Sequence, residues 1–419
     1  MNILQIKKLY PGSTYLFVLL LLIMTSFLSA CVQQPVFDDT AESADKYKKS
    51  SKQHKSTEVQ AGCSLVINPG DSFENAFAHL SYGDILCLND GEYHQMMDIP
   101  DNISVKAVHD GKAVIDGRGK LGTPWKGGLL QMTGNGSSVR GIRVHHAGKN
   151  SHTCFISGSN NSMQVMSCSH AGKQKHKVPL FMTGTGHLIE DSWFYGKGRY
   201  IVQCFIGKDI IIRRNVARWD MTTPNTPSEP NAAFSIYNCA NITIENNISI
   251  DYGHSEQYMK FGADFYSPQN CKVFPEGNNN NYYLGNYAIN HAKGNANRKG
   301  LRFEADCTSK NNVVEDFYVR HSDYGIVTSG KETGLQLNNC TFIDVIKKDV
   351  SGSGSNSNVI CGGVADLGAK YINRIKVSHD LFPWKNEDLI KNDFCRRGER
   401  QSDWCKTDKT LTEYVLNVK

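Results

Sequence analysis

Two cations stand at matching places in two alternating segments. In 300–305, Leu301, Phe303 and Ala305 alternate with Arg302 and Glu304; in 258–262, Met259 and Phe261 alternate with Tyr258 and Lys260. If the apolar set of each segment is buried, Lys260 and Arg302 share the opposite face, and as neighbouring strands they lie ~4.8 Å apart. The same parity turns Phe234 and Ile236 in and Ser235 and Tyr237 out, and one segment earlier it turns Gln203 out. This arrangement suits β-elimination at a uronic acid. The reaction needs the carboxylate neutralised, a base for the proton beside it, and an acid for the departing oxygen. A cation pair supplies the first need, because positive charge placed where enolate-like charge develops lowers the barrier. A lysine beside a like charge gives up its proton more readily and can act as base. Lys260 is therefore nominated as base, Arg302 as carboxylate clamp, and Tyr258 or His254 as acid. Glu304, Tyr237 and Gln203 surround the pair as substrate contacts, and Asp220, Arg298, Arg199, Lys197 and Lys175 reach in from loops, as could His321. The plainer alternative is a ladder of charges neutralising one another, with Lys260 paired to Glu304 for little gain in stability.

The wider charge pattern points to a polyanion. From Gly117 through Ile189, seventy-three residues contain no Asp or Glu but nine Lys or Arg and six His. The bases recur in successive loops: His145, His146, Lys149 and His152, then His170, Lys173, Lys175, His176 and Lys177, continued by Lys197 and Arg199. A positive stripe of this kind attracts acidic polymers. Nucleic acid is disfavoured, because aromatic residues are sparse among the bases and the chain carries an export signal. Acidic polysaccharide is the expected partner, to a monomeric protein.

These residues must be positioned by a repeat. Asn241-Ile-Thr-Ile-Glu-Asn-Asn247 has counterparts in 162–168, 209–215, 281–286, 311–316 and 334–340. With Asn247 as index, the equivalents are Val144, Cys168, Ser192, Asn215, Asn247, Asn286, Asp316 and Cys340, at steps of 24, 24, 23, 32, 39, 30 and 24 residues. One motif at a base step near 24, with insertions, predicts an all-β, right-handed parallel β-helix whose coils each contain three short strands. An antiparallel sandwich would not explain that step. A second strand series follows at 153–157, 178–182, 200–204, 233–237, 258–262, 300–305 and 325–328, and the long insertions fall beside it. Loops enlarged on one side of a rigid stack are where function concentrates.

Gly83-Asp-Ile-Leu-Cys-Leu-Asn-Asp-Gly-Glu-Tyr93, after a predicted capping helix over 72–80, and Ala113-Val-Ile-Asp-Gly-Arg-Gly119 resemble the opening coils of the pectate-lyase-like superfamily of right-handed β-helix proteins. The resemblance covers about 63–345. It implies that the second strand series floors a substrate groove, and it leaves the activity open, because lyases, hydrolases, epimerases and non-enzymes share the fold. Related lyases often bind calcium through clustered carboxylates. Asp264 and Asp306, with Asp220 and Glu304, are the candidates here, although no dense Asp cluster is visible and no cofactor is required by the sequence. Hydrolysis by two carboxylates, Asp264 with Glu304 or Asp306, is the rival reaction. The Asn-Thr-Asp, Asp-Asp and Gly-His-Gly motifs of polygalacturonase-like hydrolases are absent from the folded body. Gly253-His254-Ser255 is a partial match, and Arg374-Ile375-Lys376 matches only the last motif. The Asp-Pro-His motif of alginate epimerases is also absent. A third class is a surface protein that binds acidic polysaccharide without cleaving it.

The N-terminal region reads as targeting sequence. Lys7 and Lys8 precede an apolar run over 15–27 that is short for a membrane span. Leu28-Ser29-Ala30-Cys31 then resembles the lipobox of bacterial lipoproteins, which implies signal removal before a lipidated Cys31 and, with Val32 following, an outer-membrane address. Residues 32–61 hold five lysines and five carboxylates with almost no large apolar side chain, too little apolar surface to offset chain entropy, and are read as a tether. The expected divisions are therefore 1–30 signal, 31–61 tether, 62–345 β-helix and 346–419 C-terminal coils and cap. Twelve cysteines remain for an oxidising compartment. Cys63 with Cys87 and Cys395 with Cys405 are expected bridges, Cys271 with Cys307 a weaker one, and Cys168, Cys204 and Cys340 are expected as buried free thiols.

Overall fold

Runs in which every second side chain is apolar build three parallel sheets in the computed structural model of the protein. The structure describes residues 62–124, 127–169, 177–196, 199–219, 232–250, 257–263, 277–289, 299–303, 309–320, 322–328, 332–343, 345–352, 358–360 and 408. The first sheet stacks twelve strands from Leu65–Ile67 to Asn358–Ile360. The second stacks ten from Gly91–Tyr93 to Thr341–Ile343, and the third ten from Met97–Ile99 to Lys348–Ser351. Each coil visits the sheets in the same order, and each strand pairs in parallel with its equivalents on the coils before and after. This is the right-handed parallel β-helix, the hand that right-twisted strands impose on parallel crossovers.

The interior is built from columns. On the first sheet one inward column runs Leu86, Val105, Val139, Met163, Ile189, Ile212, Ile244, Tyr283, Val314 and Leu337, all almost fully buried. Burying each such side chain contributes about 1.5–3 kcal/mol before chain entropy is subtracted. The capping helix, α1, spans Phe73–Phe77 inside the expected range. Ser72 caps it by accepting from the Asn75 N–H, and its buried Phe73 stacks on Tyr93 at 5.4 Å. Beyond 345, strands Lys348–Ser351 and Asn358–Ile360 continue the stack. The rest of the C-terminal region, apart from Asp408, lies outside the described residues, as do the signal and tether with Cys31.

A polar column joins the first and second sheets, displaced in part from the expected one. Ser192 N donates to Asn215 Oδ1, Asn215 N to Asn247 Oδ1, and Asn247 N to Asn286 Oδ1, each at 3.0 Å. Strand register extends this column to Ile142, Met166, Ser192, Asn215, Asn247, Asn286, Phe317 and Cys340. Val144 and Cys168 therefore sit two residues past the column, and Asp316 one before it. The column changes chemistry along the stack: it is polar from Ser192 to Asn286 and apolar at Ile142, Met166 and Phe317, so its outer members carry no small polar mark in the sequence. Asp316 instead occupies a left-handed turn position, φ 54°. A second polar column lies at the corner before the first sheet, where Ile242 N donates to Asn281 Oδ1 and Asn281 N to Asn312 Oδ1.

The cysteines also differ in part from expectation. Cys63 and Cys87 are bonded. Cys168 and Cys204 do point inward, but they are bridged to Cys154 and Cys239 rather than free, and Cys340 is disulfide-bonded as well. Parity along one strand tells which way a thiol points, yet not that a second inward thiol faces it from another strand of the narrow interior. Cys271, Cys307, Cys395 and Cys405 lie outside the described residues.

Candidate functional site

The strands of the third sheet are His152–Ile156, Leu180–Thr185, Tyr200–Lys208, Ala232–Ala240, Gln257–Ala263, Lys299–Phe303 and Tyr324–Val327, after Met97–Ile99 and Gly128–Met132. Their register assigns one outward column: Asp98, Gln131, Phe155, Phe181, Gln203, Ser235, Lys260, Arg302, Val327 and Ser351. Its parity is fixed by the residues on either side. Val202, Cys204, Phe234, Ile236, Leu301 and Phe303 all lie in the core, so the alternate positions face away from it. Lys260 and Arg302 are thus direct partners on adjacent strands, with Ser235 opposite Lys260 on the other side. Arg302 is half-buried between the core residues Leu301 and Phe303.

The alternation fails at the start of these strands. Ile201 and Ala233 occupy successive places in the column that also holds Tyr258 and Gly300, and both are fully buried in the core. At Gly300 an added Cβ would come within 2.5 Å of Val319 of the second sheet. At Ile201–Val202 and Ala233–Phe234 two consecutive residues are thus directed inward as the chain leaves the preceding turn.

Upstream of the cation pair the outer face is aromatic. Phe155 stacks on Phe181 at 5.7 Å and 5°, Phe181 meets Phe205 at 6.0 Å, and Phe205 meets Tyr237 at 6.5 Å. Tyr200 lies against Tyr237, and their hydroxyls share a 2.7 Å hydrogen bond. Tyr200, Tyr237, Val178 and Ala232, with Phe181 and Phe205 packed against them, form an apolar cluster separate from the core. Tyr237, expected as a substrate contact, is thereby 93% buried in packing, whereas Gln203 is half-buried between Phe181 and Ser235. The Arg199 guanidinium lies 5.5 Å over the Tyr200 ring, a cation–π contact. Phe155, Phe181 and Phe205 did leave a sequence signal that the charge pattern overshadowed: a large aromatic residue at an outward position on each of three successive strands.

Among the described residues, several members of the basic stripe are buried or neutral rather than exposed and charged. His152 is buried beside Phe181, its Nδ1 accepting from the Val178 N–H. Burial, with the charge of Lys177, pulls its pKa down to about 3, so it carries no charge at neutral pH. Burial also lowers the pKa of Lys177. His145 and His146 face a carboxylate, that of Asp116, rather than solvent. Lys149 is exposed. Asp220, His254, Asp264, Arg298, Glu304, Asp306, His321, Lys175 and Lys197 lie outside the described residues, as do His170, Lys173 and His176. The side chains of Tyr258 and Lys260 are likewise not described, and for these two only strand and register are given.

The sequence matches no described protein family and no characterised relative. Among solved structures the chain is similar to the Dettilon tailspike protein, at 15% identity and a TM-score of 0.51, covering 70% of this chain. The chain spans 60% of the tailspike's length. It is also similar to a pectate lyase (15% identity, TM-score 0.47, covering 73% of this chain and 82% of that one). An alginate lyase from a Paenibacillus species aligns at 14% identity and a TM-score of 0.47, over 71% of this chain and all of that one. At such identities the likeness is one of fold.

Proposed function

We propose that this protein is an exported polysaccharide lyase that cleaves a uronate-containing polymer by β-elimination on the outer face of the third sheet. The observation that carries the reading is the register of Lys260 against Arg302 on adjacent strands, which sets two cations ~4.8 Å apart along a polymer-length face. Arg302 neutralises the uronate carboxylate and stabilises charge as it develops there. Lys260 removes the proton from the carbon beside the carboxylate. The electron pair of that C–H bond becomes the new C=C bond, the C–O bond to the next sugar breaks, and its oxygen takes a proton. Tyr258 or His254 is the acid that supplies it. Calcium on Asp264 and Asp306 is kept as an accessory, and no step depends on it.

Phe181 and Phe205, the half-buried rings of the aromatic run, support the reading, because flat apolar rings suit the faces of sugar rings. Lipidation at Cys31 and the tether over 32–61 place the enzyme at the outer membrane, close to capsule or matrix polymer, with plant pectin and alginate as further substrates of the same class. The test is ultraviolet absorbance of a new unsaturated uronate across a panel of acidic polymers. A rise that Lys260→Ala removes supports elimination. New reducing ends without that absorbance would indicate hydrolysis, and binding without cleavage a surface protein.

A further inference from the structure

We propose that Asp116, His145 and His146 form a binding site for one divalent transition-metal ion, with zinc the best match, on the turns that lead into the third sheet. Asp116 ends the strand Ala113–Asp116 and pairs in register with His145, which ends Ile142–His145 on the next coil. His146 follows in the left-handed region, φ 54°, an unusual conformation for a non-glycine residue that brings two consecutive imidazoles to one place. The rings stack at 4.3 Å. Asp116 Oδ1 lies 3.0 Å from His146 Nδ1, and Oδ2 lies 3.9 Å from His145 Nε2. One donor atom from each of the three falls within 4.8 Å of the others.

The three donors lie close enough to meet one ion once the stacked imidazoles turn so that both in-plane lone pairs converge on it. Two donors bound to a tetrahedral ion at 2.0–2.1 Å stand about 3.3 Å apart, between the two distances observed. Two imidazoles and one carboxylate select zinc or another first-row ion, whereas calcium and magnesium take oxygen donors. The frame around the donors is fixed in advance. The Arg118 N–H donates to Asp116 Oδ1 at 2.8 Å, an outer contact of the sort that orients a metal-binding carboxylate. Gly117 lets the two turns approach, since a Cβ there would lie 2.5 Å from the His146 carbonyl oxygen. His94 lies alongside, its Nδ1 3.3 Å from the Asp116 carbonyl oxygen, and with Glu92 and Asp116 it forms a second group of donors within the same reach.

The site stands apart from the proposed chemistry. Phe155, on the coil of His145, is four strands from Lys260 in the outward column, or ~19 Å. A metal here would tie successive coils together at the edge of the third sheet, and its presence does not depend on whether the protein is a lyase.

The experiment uses the full mature chain, stripped with a chelator and titrated with Zn2+ by calorimetry and with Co2+ by visible absorption. One equivalent is expected per chain, with the ligand-field bands of a four-coordinate nitrogen–oxygen site and a higher melting temperature for the zinc-loaded protein. His145→Ala and His146→Ala should each weaken binding by at least about tenfold. Asp116→Asn, which keeps the side-chain shape, should do the same and decides the matter if a histidine variant fails to fold. No uptake of either ion overturns the proposal. So does uptake that none of the three substitutions changes, which would place the metal on histidines elsewhere.

Discussion

The outward column of the third sheet has two halves of opposite character. From Phe155 to Tyr237 the outer face is aromatic and mostly packed away, with a neutral His152 among its rings. From Ser235 onward it passes to Lys260 and Arg302, two cations in direct register. Parallel strands stack coil on coil beneath both halves, with a register shift between Ser235 and Tyr237 where they meet, and the outward positions carry different side chains. A stack of this kind can hold a polymer over one stretch and react with it over another, because each coil contributes one side chain at a fixed step and needs no agreement with its neighbour.

The largest expected effect comes from breaking the cationic half. Lys260→Ala should lower kcat by about 10²–10⁴-fold, the range for loss of a general base, with KM little changed, as followed by unsaturated-uronate absorbance. Arg302→Ala should cost about 10²–10³-fold through loss of charge stabilisation, and Arg302→Lys should restore part of it. Equal losses from Phe181→Ala and Lys260→Ala would erase the distinction between the halves.

Acid should act on the aromatic half. Folded His152 stays neutral down to about pH 3, whereas in the unfolded chain a histidine titrates near 6.5. Its depressed value means that stability is full above about pH 6.5 and falls as pH drops toward 3, since the unfolded state binds the proton first. At about pH 5 the loss is roughly 2 kcal/mol, and burial of His187 shifts that histidine in the same direction. Urea midpoints measured on either side of this range should converge in His152→Asn. The smallest effect is expected from Phe181→Ala, which removes one ring of the stack. Binding should weaken by about 1 kcal/mol, seen as a several-fold rise in KM with kcat within a factor of about two.

The fold was legible because alternation and a step near 24 residues survive every insertion. The pairing of Lys260 with Arg302 followed from the same two signals, both of them local. What escaped depended on chemistry that changes along a column or on contacts made from the next coil. Asp316 is the small polar residue nearest the column, yet on that coil the column position itself is Phe317. His145 and His146 read as part of a basic stripe because the acid-free stretch starts at Gly117, one residue after the carboxylate that faces them both. The bridging of Cys154 to Cys168 was hidden in the same way, by proximity across the interior.

The polar column has a consequence for how such a molecule can diversify. Its steps are 24, 26, 23, 32 and 39 residues from Ile142 to Asn286, yet at each step a backbone N–H reaches a side chain one coil on at hydrogen-bonding distance. The corner is pinned locally, whatever length of chain has passed in between. Excursions on the far side can therefore be lengthened, shortened or exchanged between descendants without renegotiating the scaffold. Loop length on that side is thus a free variable, while the stack that carries the loops is inherited intact.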